Sequence, residues 1–123
     1  MKQSILIVDD NEMMREFLAN YLCKKFLVNT VGSGTEAINY LSSRKIPDLV
    51  ITDLNMPLMN GHILLDKIKN NSVFAHIPVI ILSGLKESSS RIKCLQAGAK
   101  DFIIKPFNPE ELELRVSRTL KAA

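Results

Sequence analysis

The 123-residue chain contains 46% hydrophobic and 24% charged residues, the composition of one globular domain with its own core. Its net charge of +3, without a long run of like charges, argues against direct nucleic-acid binding. The sequence has neither a secretory leader nor an apolar stretch of the roughly 20 residues that cross a bilayer, so we expect no membrane insertion and a cytoplasmic location. Cys23 and Cys94 lack metal-binding spacing, and we expect both to be buried, inert thiols.

The chain begins with a continuous apolar segment, Ser4–Val8, which predicts a strand buried on both faces. A helix follows, because apolar residues recur with the spacing of one helix face. These residues are Met14, Phe17, Leu18, Tyr21 and Leu22. The next segment, Phe26–Val31, alternates more between apolar and polar residues, and we expect it to form an edge strand.

Ser33 and Glu36 have the spacing of a capping box and predict the start of a second helix. Its apolar residues are Ala37, Ile38 and Leu41. The segment Asp48–Thr52 then predicts a third strand, again apolar and rich in β-branched residues. A third helix is marked by Gly61, Leu64, Leu65 and Ile68.

The last third of the chain predicts two more strand and helix pairs. Pro78–Leu82 is the fourth strand, and the helix near Glu87–Ala97 after it is weakly amphipathic. The main apolar residues of that helix are Ile92 and Leu95. Phe102–Ile104 is the fifth strand. Asn108 as cap and Pro109 at the first helical position predict the fifth helix. It should bury Leu112, Val116 and Leu120.

The elements therefore alternate as (βα)5, the pattern of an α/β fold. Right-handed crossovers place helices on both faces of such a parallel sheet, which makes it doubly wound. No linker, repeat or low-complexity segment interrupts the pattern, so we expect a single domain over residues 1–123.

Polar residues follow four of the predicted strands, and the carboxyl ends of parallel strands form the ligand-binding edge of an α/β sheet. They are Asp9 and Asp10, then Asp53 and Asn55, then Ser83, which precedes Gly84, and finally Lys105, which precedes Pro106. Carboxylates brought together repel one another unless a cation offsets their charge. Oxygen ligands of this kind suit Mg²⁺, and Lys105 adds a positive charge, so the edge has the groups that phosphoryl transfer needs.

Four sequence pieces carry a resemblance over essentially the whole chain: VDDNE, DLVITDLNMPLMNG, ILSG and AGAKDFIIKPF. Together they are similar to the receiver domains of two-component response regulators, the CheY-like superfamily. The resemblance implies a flavodoxin-like, five-stranded parallel sheet in the order 2-1-3-4-5. It also implies a phosphorylation-activated switch that assists only its own phosphorylation and dephosphorylation, and so is not an enzyme that turns over a substrate.

The resemblance also implies a role for each matching residue. Asp53 matches the phosphoacceptor. Asp9, Asp10, Asp53 and the backbone carbonyl of Asn55 match the ligands of Mg²⁺ or Mn²⁺. Ser83 and Lys105 match the groups that contact the phosphoryl oxygens.

Three further positions complete the comparison. Phe102 matches the aromatic switch residue that turns inward on phosphorylation, and Pro106 the residue after a cis bond. Gly84 follows Ser83 in the ILSG piece. Ser83 stands where many members have Thr, and Phe102 where many have Tyr.

The expected partners are likewise implied by the resemblance. The phosphoryl donor would be a sensor histidine kinase or a histidine phosphotransfer protein. The receiver of the signal would be an output protein, or an output domain absent from this chain, that reads the surface of helix 4, strand 5 and helix 5. The chain would be a monomer or a phosphorylation-dependent homodimer.

Each site residue also has an ordinary explanation when it is taken alone. Asp9 and Asp10 have the chemistry of helix caps, Asp53 fits a turn, and Lys105 fits a solvated surface lysine. A phosphorylation-independent docking module on the same fold is the main alternative function. A haloacid-dehalogenase-type phosphatase would need an acid where Asn55 stands. A flavodoxin would need a phosphate-binding loop where the acidic residues after the first strand lie.

Overall fold

The computed structural model describes residues 2–84 and 88–122, in which five strands alternate with five helices. They are β1 (Ser4–Val8), α1 (Glu12–Leu22), β2 (Leu27–Val31), α2 (Gly34–Ser42), β3 (Leu49–Asp53), α3 (Gly61–Lys69), β4 (Val79–Ser83), α4 (Ser88–Gln96), β5 (Asp101–Ile104) and α5 (Pro109–Ala122). The predicted start of the fourth helix at Glu87 lies outside the described residues. No helix in the described ranges is both long and apolar enough to cross a membrane.

The strands form one parallel sheet in the order β2-β1-β3-β4-β5, which confirms the predicted fold class and the edge position of β2. Neighbouring residues of β1 pack into different layers. Ile5 and Ile7 pack with the buried residues of α1 and α5, whereas Leu6 and Val8 pack with those of α2 and α3. Both faces of the strand are covered, and for this reason its apolar run is continuous rather than alternating.

Polar side chains start the helices, as the sequence predicts for α2 and α5. The Ser33 hydroxyl accepts a hydrogen bond from Glu36 N at 3.1 Å, and Asn108 Oδ1 accepts bonds from the first turn of α5. At α1 the cap is Asn11, whose Oδ1 accepts from Met14 N at 2.9 Å. The explanation of Asp9 and Asp10 as the caps of this helix is therefore wrong, which leaves both carboxylates available for another role.

Three burial expectations are corrected by the structure. In α1, Leu18 and Leu22 are buried, but Phe17 is 45% exposed and its ring lies 6.3 Å from that of Phe107, after β5. Among the described side chains of α4, Cys94 is the one that is buried. The pair predicted to form its apolar face is exposed, Ile92 by 48% and Leu95 by 42%.

The third correction concerns the thiols. Cys94 is buried as expected, but Cys23 is exposed just after α1. Burial raises the pKa of Cys94, with a further contribution from the charge of Asp66. The two cysteines therefore differ in their access to solvent, which their sequence neighbourhoods do not reveal.

Candidate functional site

Two strands run one residue further than their apolar segments predict, and both extra residues belong to the candidate site. Asp53 ends β3 opposite Leu82, and Ser83 ends β4 opposite Ile104. Ladder pairing with the neighbouring strand extends each strand to a polar residue, because a polar side chain does not prevent main-chain pairing. Each side chain is therefore held at a fixed position on the carboxyl edge of the sheet.

Asp9 follows β1 and is buried, with 1% of its surface exposed. Its Oδ1 accepts a hydrogen bond from Asn11 N at 2.9 Å, whereas its buried Oδ2 has no hydrogen-bond partner. Lys105 Nζ lies 3.7 Å from this oxygen. An unsatisfied buried carboxylate oxygen is costly, and a bound cation would satisfy it.

Asp53 lies beside the same lysine, with Oδ1 accepting a hydrogen bond from Lys105 Nζ at 3.1 Å. Burial raises the pKa of Asp53 above its ordinary value, Lys105 opposes this rise, and the charges of Asp9 and Asp10 add to it. Lys105 therefore offsets only part of the cost of ionising the Asp53 carboxyl group in this buried position.

The three aspartates together have the chemistry of a divalent-cation site. Asp9, Asp10 and Asp53 each offer one carboxylate oxygen, and these oxygens all lie within 4.8 Å of one another. Three carboxylates and the ammonium of Lys105 carry a net charge of −2 when all are ionised. A hard dication with oxygen ligands, such as Mg²⁺, fits both the charge and the donor atoms.

The remaining predicted residues surround this cluster or lie beside it. Ser83 is fully buried at the end of β4, and its carbonyl accepts a hydrogen bond from Lys105 N at 2.7 Å. The Lys105–Pro106 peptide bond is cis. Asn55 is exposed in the loop after β3, and Gly84 is exposed after β4.

Phe102 is 5% exposed, so its ring lies in the core. Phe102 packs in the same core cluster as Cys94 of α4 and Ile81 of β4. The ring therefore packs β5 into the same part of the core as β4 and α4.

Two features that shape the site were not predicted from the sequence. Arg15 donates from Nη1 to the main-chain carbonyl of Asp9 at 2.8 Å. Gly61, at the start of α3, approaches β3 so closely that an added Cβ would lie 2.5 Å from Asp53 O. The only sequence signal for the Gly61 contact is a glycine at the first position of a helix. The Arg15 contact has no sequence signal.

Comparison with known proteins agrees with this geometry. The family described as "Response regulator receiver domain" matches residues 5–117. The sensor histidine kinase TmoS of Ectopseudomonas mendocina is 39% identical over 116 residues, which cover 94% of this chain and 12% of that protein. The chain spans less than half the length of the first curated relatives it matches.

Two solved structures have the same fold. The signal receiver domain of a signal transduction histidine kinase from Syntrophus aciditrophicus has a TM-score of 0.90 and 35% identity, covering 98% of this chain and 92% of that one. The receiver domain of sensor histidine kinase PA1611 from Pseudomonas aeruginosa, solved with a magnesium ion coordinated in the active-site cleft, has a TM-score of 0.87 and 27% identity, covering 98% and 99%. The chain therefore belongs to the response regulator receiver domain family of two-component signalling.

Proposed function

We propose that this chain is a phosphorylation-activated switch that accepts a phosphoryl group on Asp53. The arrangement of Asp53 supports this most strongly. Its carboxylate is buried at the end of β3, contacts Lys105, and shares the sheet edge with two further aspartates. A sensor histidine kinase or a histidine phosphotransfer protein would be the donor, since the relative TmoS is itself a sensor histidine kinase. We propose residues 1–123 as one such domain, acting in the cytoplasm.

The transfer would be a displacement at phosphorus. A carboxylate oxygen of Asp53 attacks, the P–N bond of the donor phosphohistidine breaks with the electron pair going to nitrogen, and an acyl phosphate forms. Lys105, already 3.1 Å from Asp53 Oδ1, would stabilise negative charge on the phosphoryl oxygens. Water later hydrolyses the acyl phosphate, so the domain would limit its own signal and would not turn over a separate substrate.

Asp9, Asp10, Asp53 and the backbone carbonyl of Asn55 would hold Mg²⁺, or Mn²⁺ in its place. The Oδ2 of Asp9, which accepts no hydrogen bond, and the net negative charge of the cluster support this assignment. When bound, the metal supplies charge neutralisation and a template for the phosphoryl oxygens.

Ser83 would couple phosphorylation of Asp53 to a change in the surface formed by α4, β5 and α5. Its hydroxyl would donate to the phosphoryl group, which brings about two negative charges and three acceptor oxygens. Because Ser83 O accepts from Lys105 N, a shift of Ser83 moves the end of β5 as well. Phe102 lacks a phenolic hydroxyl, so packing alone keeps it inside while α4, β5 and α5 adjust to an output protein or domain.

Ser83→Ala should therefore accept the phosphoryl group but transmit it weakly. Backbone amide shifts of α4 and β5, measured by NMR before and after phosphorylation, should change less in the variant than in wild type. Equal shift changes in both proteins would contradict the role of this hydroxyl.

The proposed function itself is tested by intact mass after treatment with acetyl phosphate. Wild type should gain the mass of one phosphoryl group only when Mg²⁺ is present, and Asp53→Asn should gain none. Asp66→Asn is the matched control, since Asp66 lies on α3 beside His62 and away from the cluster. It should be phosphorylated like wild type.

A folded wild-type protein that gains no mass under any condition would contradict the proposal. The docking-module alternative would then be favoured, since such a module needs the fold without the chemistry. A gain that persists in Asp53→Asn would place the modification on another residue.

A further inference from the structure

The main chain of Asp9 is held from two sides, although the residue lies beyond the end of β1. Asp9 N donates to Val31 O of β2 at 3.2 Å, and Asp9 O accepts from Arg15 Nη1 at 2.8 Å. The sheet thus supplies one of these contacts and a side chain of α1 supplies the other. With both in place, the direction in which the Asp9 side chain leaves the backbone is fixed.

Arg15 is itself seated in a defined position. An added Cβ at Gly32 would lie 3.1 Å from Arg15 Nη1 and 3.1 Å from Glu36 Oε2. Gly32 N donates to that same Glu36 oxygen at 2.8 Å, and Glu36 belongs to the start of α2. The guanidinium group therefore occupies space that a glycine leaves open between α1 and the start of α2.

We propose that Arg15 is a positioning residue for the acidic cluster. By holding the carbonyl of Asp9, it fixes the carboxylates of Asp9 and of the adjoining Asp10 at the spacing from Asp53 that a divalent cation needs. This inference rests on the proposed function, since it assigns Arg15 to the same metal site.

Charge alone predicts the opposite effect from positioning, which makes the inference testable. A guanidinium near three carboxylates repels a dication, so a purely electrostatic role means that removing Arg15 strengthens Mg²⁺ binding. A positioning role means that removing it weakens binding, because the ligand oxygens lose their arrangement. Loss of a group that orients metal ligands typically weakens metal affinity by about 10- to 100-fold.

The experiment measures Mg²⁺ affinity by isothermal titration calorimetry on folded, unphosphorylated protein. Arg15→Met should weaken binding by about tenfold. Arg118→Met is the matched control, because it removes the same charge from an exposed position on α5 and should leave the affinity unchanged. Arg15→Lys keeps the charge, but its side chain ends one bond short of the position of Nη1, so it should also weaken binding, and it replaces Arg15→Met if that variant does not fold.

Equal or tighter Mg²⁺ binding in Arg15→Met, or in Arg15→Lys in its place, would overturn the positioning role. Weaker binding in these variants, while acetyl phosphate leaves wild type unmodified, would support the positioning role and contradict the proposed function. An absence of Mg²⁺ binding by wild type would overturn both.

Discussion

The approach of α3 to the end of β3 makes a sharp prediction about one glycine. Adding a Cβ to Gly61 would place it 2.5 Å from Asp53 O and 2.9 Å from Leu54 Cα. Both opposing atoms are main chain, so neither can rotate away as a flexible side chain would. Gly61→Ala must therefore push α3 away from the strand that carries Asp53.

The cost follows from two opposing effects. Overpacking a tight site costs about 1–3 kcal/mol, and contact with rigid main chain favours the upper end of this range. Replacing glycine by alanine in a conformation that alanine can adopt returns about 0.4–1 kcal/mol through the unfolded state. The free energy of unfolding should therefore fall by about 2 kcal/mol, which corresponds to a urea midpoint lower by about 1 M at an ordinary m-value.

Urea unfolding followed by circular dichroism measures this effect. Gly84→Ala is the matched control, since Gly84 is exposed and an added Cβ there meets nothing within 4 Å. Its free energy of unfolding should stay within about 0.5 kcal/mol of wild type. A Gly61→Ala protein as stable as the Gly84→Ala protein would refute the close-approach argument.

Three further predictions concern buried or partly buried groups. Because burial raises the pKa of Asp53, and Lys105 offsets only part of that cost, Asp53→Asn without divalent cations should raise the free energy of unfolding at pH 7, by on the order of 1 kcal/mol. Urea midpoints should show the gain disappearing below pH 3.8, the ordinary value, where the carboxyl is protonated in both the folded and unfolded states; a gain that persists there would contradict this cause. Lys69 Nζ donates to two main-chain carbonyls, so Lys69→Met should cost about 1–3 kcal/mol in urea unfolding, against less than about 0.5 for the exposed Lys67→Met on the same helix; equal costs would argue against a structural role. Iodoacetamide should alkylate Cys23 in the folded protein and spare the other cysteine, and peptide mass mapping that finds both alkylated at equal rates would contradict the burial of the second.

The elements could be predicted because their signals are local. β1 has the bounds that its apolar run indicates, and Ser33 and Asn108 act as the caps that their spacing suggests. The strand ends were predicted one residue short at Asp53 and Ser83. Hydropathy marks only the apolar part of a strand, while main-chain pairing decides where the strand ends.

Contacts between distant segments were much less predictable. Phe17 has the periodicity of a core residue, yet its ring packs near Phe107 at the surface. Cys94 is the buried residue of α4, although Ile92 and Leu95 are larger apolar residues. Which face of a helix becomes buried depends on the sheet beneath it, and a pattern with weak amphipathicity does not specify that face.

The way in which α4 is held also sets the order in which parts of the fold should open. Among the described side chains of α4 only Cys94 is buried, whereas α3 buries Leu64, Leu65 and Ile68. Each such aliphatic side chain contributes about 1.5–3 kcal/mol by leaving water, and a lone thiol contributes less. Amide hydrogens of α4 should therefore exchange with solvent through a local opening whose free energy is far below that of global unfolding. Those of α3 should exchange only through an opening of higher free energy. Because α4 buries so little apolar surface, it can take up a second position without the rest of the domain unfolding.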